Sequence, residues 1–340
     1  MTVAYSRKWG PAVSGYSLGS FTLPHGIGVH TGQGNVYMVA ETDSRVLITD
    51  TSGVYVGEWG LPNLGRQIHI DSVNNIAYVS CYSNVNVLKY DISNPASVAS
   101  AGSFGVGTGP AGISLFNSEL YICLPGTSKI AVHDLSGVWQ RDLTGGGGIN
   151  NTTDCVVVGD TVYATSYNAT PTGRILLLDK TTGALTGTWE PTLGGKIFHQ
   201  LFGIAHTNGG FYVCDGGPAA GGGSHLLWVL DSNGNAVEFV HASGNYGTGD
   251  GYFQGASNSP LNCAIAGGEI YVTDNADNGS PSTSRVQVFA LNLTEEVWNV
   301  FPYSWSTLAA IWNILPYSWG VTANKALFHY TQGKRQKEFQ

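Results

Sequence analysis

Side chains able to do chemistry are sparse in this sequence: only 11% of its 340 residues are charged. Six candidates stand out by position. His25, Arg66, Gln67, His69, Asp154 and Asn262 all fall on, or just before, the same short apolar strand of a recurring unit. The strands align on Ile27, Ile68, Ile113, Cys155, Ile204 and Cys263. The preceding positions then read Gly26, Gln67, Gly112, Asp154, Gly203 and Asn262. Two places after those come Gly28, His69, Ser114, Val156, Ala205 and Ala264. Strand alternation puts these twelve on one face. His25 and Arg66 lie one step earlier.

A His69–Asp154 acid/base pair would need contact across two units. One histidine with one aspartate falls short of the three or four protein ligands that zinc takes. Calcium takes six or more oxygens, and Asp154 with Asn262 supplies only part. Small, hydrogen-bonding residues around a water-filled channel account for the set. The six are therefore expected to be channel-lining binding candidates. No catalytic residue, metal or cofactor is expected.

Other motifs fail on context. Gly107 to Gly112 matches GxGxxG, but the following ISLF has strand character, not the helix a dinucleotide site needs. The glycines 145–148 lack the Lys-Ser/Thr of a phosphate loop. DSNGN (231–235) resembles the start of a calcium loop without its downstream Glu, and reads as a β-turn.

The elements that must position the candidates come as repeats. One strand recurs as NVYMVAE, IAYVSCY, ELYICLP, TVYATSY, GFYVCDG and EIYVTDN, with tyrosines at 37, 78, 121, 163, 212 and 271. The candidate strand precedes each one. A third strand follows, such as RVLITD or RILLLD, and five units add a fourth that ends near an aromatic residue, such as VYVGEWG. Four short strands at a period of 40-odd residues are the pattern of a propeller blade. Six units predict a six-bladed, all-β propeller. The sixth lacks its fourth strand, and TVAYSRKWG (2–10) resembles VYVGEWG (54–60). The N-terminal strand is therefore expected to complete blade 6 and close the ring. The expected domains are 1–292, the propeller, and 293–340, a C-terminal segment.

The stretch 247–289, with its Gly-rich turn, SPLNCAI, EIYVTDN and SRVQVF, resembles the NHL repeat, and PHGIGV (24–29) and ELYICLP echo it. The resemblance implies an NHL-like six-bladed propeller. Some NHL relatives are metal-dependent lyases or lactonases. Their three-histidine or Glu/Asn/Asn/Asp sets are not reproduced here, since His25 is out of phase with His69 and His206 extends past the small-residue face.

Composition bounds the partners. The chain has 47 glycines and a formal net charge of −8, so a sequence-wide basic footprint for nucleic acid is missing. The surface must be built from Gly, Ser, Thr, Asn and Tyr, as suits an adhesion or virion protein. MTVAYSRKWG has no apolar signal-peptide core, so synthesis in the cytoplasm is expected, with a virion as one destination. The five cysteines are expected to be buried, reduced thiols.

The tail is unusual. Trp298, Trp305, Trp312 and Trp319 recur every seven residues, and Phe301, Leu308 and Leu315 follow the first three by three. A seven-residue period lines them along one helix face, while Pro302 and Pro316 divide the segment into short helices. This α-helical C-terminal extension is expected to dock or oligomerise. Its cover is the propeller itself, other protein subunits, or a membrane surface. WNVFPYSW and WNILPYSW resemble a helical stretch in maturation proteins of single-stranded RNA phages. The reading is a non-enzymatic recognition and assembly module, a phage structural or receptor-binding protein with a host-surface ligand on its propeller. The alternative is an NHL-type metal-dependent lyase or hydrolase.

Overall fold

Each repeat tyrosine marks the second strand of a four-stranded antiparallel sheet in the computed structural model. The structure describes residues 2–9, 23–167, 173–207, 209–216, 225–240, 253, 259–274 and 284–292. Blade 1 is Pro24–His30, Asn35–Ala40, Arg45–Asp50 and Tyr55–Gly60, hydrogen-bonded in that order. Four further sheets repeat this order, with inner strands Gly65–Asp71, Ile113–Phe116, Thr152–Val158 and Leu201–Thr207. Blade 6 starts at Asn262–Ala266, and its outer strand is Thr2–Trp9. That strand pairs antiparallel with Arg285–Asn292, from Thr2 opposite Asn292 to Trp9 opposite Val286. Chain closure is thus made by the N-terminus, and the protein is a six-bladed β-propeller. The compact unit runs Met1–Leu293. Trp298, Phe301, Trp305, Leu308, Trp312, Leu315 and Trp319 lie outside the described residues.

The core sits between blades, which is why a tyrosine recurs. Tyr37, Tyr78, Tyr121, Tyr212 and Tyr271 are all at most 3% exposed. Tyr163, half-buried, packs on Trp189 and Phe211 with ring centroids 5.0 and 4.5 Å away. Burying such rings, at roughly 25 cal/mol per Å², is what fastens neighbouring sheets face to face. All five cysteines are free and buried in these inter-blade layers. A short hairpin unforeseen from the repeat, Thr192–Leu193 with Lys196–Ile197, lies between blades 4 and 5.

The aromatic residue at the end of the fourth strand also has a reason. Trp9 packs on the turn glycine Gly53 of the next blade, and Trp189 packs on Gly234 in the same way. Gly53 has φ +86°, and a Cβ there would lie 2.6 Å from Trp9 Cγ. The turns themselves are held by an aspartate. Asp50 Oδ1 accepts from the Ser52 and Val54 amides at 2.8 and 2.9 Å. Asp231 Oδ1 does the same for Asn233 and Asn235, so DSNGN is one of these turns.

Candidate functional site: the central channel

The inner strands surround a cavity of about 290 Å³ on the propeller axis. Gln67, Asp154 and Asn262, each at most 6% exposed, form its floor, and exposed Thr31 lies near its open end. The strands aim these side chains inward through a repeated irregularity. A register shift falls between Pro24 and Ile27, Gly65 and Ile68, Thr152 and Asp154, and Leu201 and Ile204. Bulges of this kind re-aim side chains at barrel and propeller rims.

The floor converges on one carboxylate. Asp154 Oδ2 accepts from Gln67 Nε2 and Asn262 Nδ2, each at 3.3 Å, and from the Ile204 amide at 3.2 Å. Oδ1 accepts from the Cys155 amide at 2.9 Å. Gln67 Oε1 is used by the Ile68 amide at 3.0 Å. Burial pushes the Asp154 carboxyl up to about 7, against the pull of these hydrogen bonds. Asn262 Oδ1 is buried with no partner.

A pseudo-threefold order underlies this. Blades 2, 4 and 6 supply the polar side chains, and blades 1, 3 and 5 supply Gly26, Gly112 and Gly203. A Cβ at Gly26 would lie 2.5 Å from Gln67 Oε1, and one at Gly112 would lie 2.5 Å from Asp154 Oδ1. The glycines make room for their neighbours. A hydroxyl on the second strand of each even blade completes the pattern. Ser80, Thr165 and Thr273 accept from the Gln67, Asp154 and Asn262 amides, each at 3.0 Å. They donate across to the next blade, to the Ala111, Phe202 and His25 carbonyls at 2.5, 2.6 and 3.1 Å. Sequence reasoning missed these three hydroxyls. Their signal is a Ser or Thr two places after alternate repeat tyrosines.

His69 lines the channel wall one layer above the floor and has no hydrogen-bond partner among the described residues. Burial pushes its imidazole down to about 4. His206 borders the same cavity, its ring tilted against Phe211 with centroids 4.7 Å apart. His25 and Arg66 are placed elsewhere. They fall in the register shift and do not line the cavity. Arg66 pairs with Glu41 at 3.4 Å and lies over the Tyr82 ring at 4.6 Å. His25 lies half-buried beside Arg66, and desolvation, reinforced by that charge, pushes it down to about 3.

The floor is not built for a metal. Asp154 already serves four donors, and among the described residues no three His, Cys, Asp or Glu side chains are grouped to share an ion. The enzymatic NHL set therefore does not fit these residues.

No family model matches the sequence, and no curated protein matches it. Among solved structures, a chain of Kuenenia stuttgartiensis hydrazine synthase is similar. The match has a TM-score of 0.50 and 13% identity, covering 76% of this chain and 80% of that one. At that identity the likeness establishes the class, a β-propeller, and nothing about activity.

Proposed function

We propose that the chain is an NHL-type β-propeller acting as a non-enzymatic recognition and assembly module, a structural or receptor-binding component of a phage particle fastened by its C-terminal segment. The observation that carries the non-enzymatic part of this reading is the occupied carboxylate of the channel floor. Asp154, the one acid among the described residues lining the cavity, spends its oxygens on Gln67, Asn262 and two backbone amides from blades 4 and 5. A general base or metal ligand must aim a lone pair at a reacting group. This carboxylate instead ties blades together. The sparsely charged composition and the repeated Trp-x-x-x-Pro-Tyr-Ser-Trp segments support the particle role.

Two measurements test the reading. Elemental analysis of purified full-length protein is expected to find no stoichiometric zinc or calcium. A tightly held ion that is lost in Asp154→Asn or His69→Ala would favour the lyase or hydrolase alternative. Deletion of residues 294–340 is expected to leave a folded propeller that has lost its oligomer or its attachment. A truncated form that aggregates, from a monomeric parent, would mean that the tail only packs on its own propeller.

A further inference from the structure

We propose that the central channel is a binding site for a small organic monocation, a primary alkylammonium with a short aliphatic body, its charged head seated above Asp154 and Asn262. The inference rests on the reading of the propeller as a recognition module and names the ligand class of its channel.

Four observations carry it. The first is room. The cavity measures about 290 Å³, near the lower end of the range for small-ligand pockets. The second is charge. Asp154 is the one ionisable acid among the described lining residues, and none of those residues is a Lys or Arg. Arg66, one residue from Gln67, is turned away to Glu41 and Tyr82. A buried carboxylate with hydrogen bonds but no counter-cation attracts one strongly in a low-dielectric site.

The third observation is the set of idle polar groups. Asn262 Oδ1 is buried without a donor. The His69 ring and the Ser114 hydroxyl line the same cavity and have no hydrogen-bond partner among the described residues. An ammonium carries three donors and no acceptor. The three idle groups each offer an acceptor: an amide oxygen, a neutral imidazole nitrogen and a hydroxyl oxygen. His69, pushed down to about 4, keeps that acceptor nitrogen at neutral pH. The fourth is the wall. Half-buried Val29, Ile70, Val156 and Ile265 border the cavity above the floor, suited to a hydrocarbon body. A carboxylate ligand would set a second negative charge against Asp154. A neutral alcohol would leave the Asp154 charge unpaired.

The test is calorimetric titration of the full chain at pH 8 with three probes of matched shape: n-butylammonium, 1-butanol and butyrate. Saturable binding of n-butylammonium is expected, with 1-butanol at least tenfold weaker and butyrate not binding. Ala264→Phe and Ala205→Phe fill the channel from half-buried wall positions without touching the floor. Each is expected to weaken the ammonium at least tenfold while circular dichroism stays unchanged, and the second variant stands in if the first misfolds. Equal binding of alcohol or carboxylate, undiminished ammonium binding in the filled variants, or no saturable ammonium binding would overturn the proposal. A tightly held metal would sink the non-enzymatic reading alone. A metal-free, inert protein that ignores the ammonium would sink only this inference.

Discussion

Arg7 and Glu269 are 262 positions apart in the chain and form a two-pronged ion pair, with Arg7 Nη2 2.8 Å from Glu269 Oε2. Arg141 and Glu119 repeat the motif within blade 3 at 2.5 and 2.8 Å. The N-terminal strand therefore takes up the chemistry of an ordinary outer strand as well as its hydrogen bonds.

Ring closure should depend far more on Trp9 than on Arg7. Trp9 is 7% exposed and packs among Tyr271, Val286 and Ile27. Trp9→Ala is expected to cost about 3–5 kcal/mol. Arg7→Ala removes a half-exposed pair and is expected to cost about 1 kcal/mol or less. Urea unfolding of both variants reads the difference. Deleting residues 1–10 should destabilise the propeller severely, and a truncated form that melts with the parent would refute closure by this strand.

Gly53→Ala should be costly although the site is a surface turn. The left-handed φ costs a side chain about 1–2 kcal/mol, and the new Cβ would strike the Trp9 ring. A Tm unchanged from the parent would count against this latch between blades 6 and 1.

The hydroxyl triad gives a comparison of equivalent sites. Thr165→Val keeps the shape but strands the Asp154 amide and leaves the Phe202 carbonyl only the longer bond from Thr153 Oγ1, at 3.3 Å. Stranding buried polar groups costs about 1–3 kcal/mol. The same loss is expected for Thr273→Val. Val39 holds the corresponding place in blade 1, and Val39→Thr is expected to add no stability. Chemical denaturation of the three variants checks this.

His69 should make the protein acid-sensitive. Its pKa falls from about 6.5 to about 4 on folding. Between those values the unfolded chain takes up a proton that the folded chain refuses. The folded state is therefore favoured fully above pH 6.5, and that share is lost as pH falls toward 4. His69→Gln removes the effect. The stability gap between variant and parent should move in the variant's favour by on the order of 2 kcal/mol from pH 7.5 to pH 4.5. A gap independent of pH would show that His69 is not held neutral.

Much of the architecture follows from local sequence. Period-2 strands separated by Gly, Asn and Asp turns, and a tyrosine returning every 40-odd residues, specify blades because each strand's pattern is set by its own alternation. The likeness of TVAYSRKWG to VYVGEWG was enough to join the two ends, because an unpaired strand edge and an unpaired strand find each other. Alternation also put Gln67, His69, Asp154 and Asn262 on one face, and these four do line the cavity.

The tertiary structure decided the rest. His25 and Arg66 precede the channel face by one residue and do not line the cavity. The strand's own alternation already sets both out of phase with Gln67 and His69; only the fold shows where Arg66 goes instead, to Glu41 and the Tyr82 ring. The hydrogen bonds of Asp154 to Gln67 and Asn262 join positions 87 and 108 residues apart. Only the rotation of blades about a common axis brings them together. The glycines at 26, 112 and 203 read in sequence as ordinary small strand residues. In the ring they are the spaces into which the polar side chains of the neighbouring blades fit.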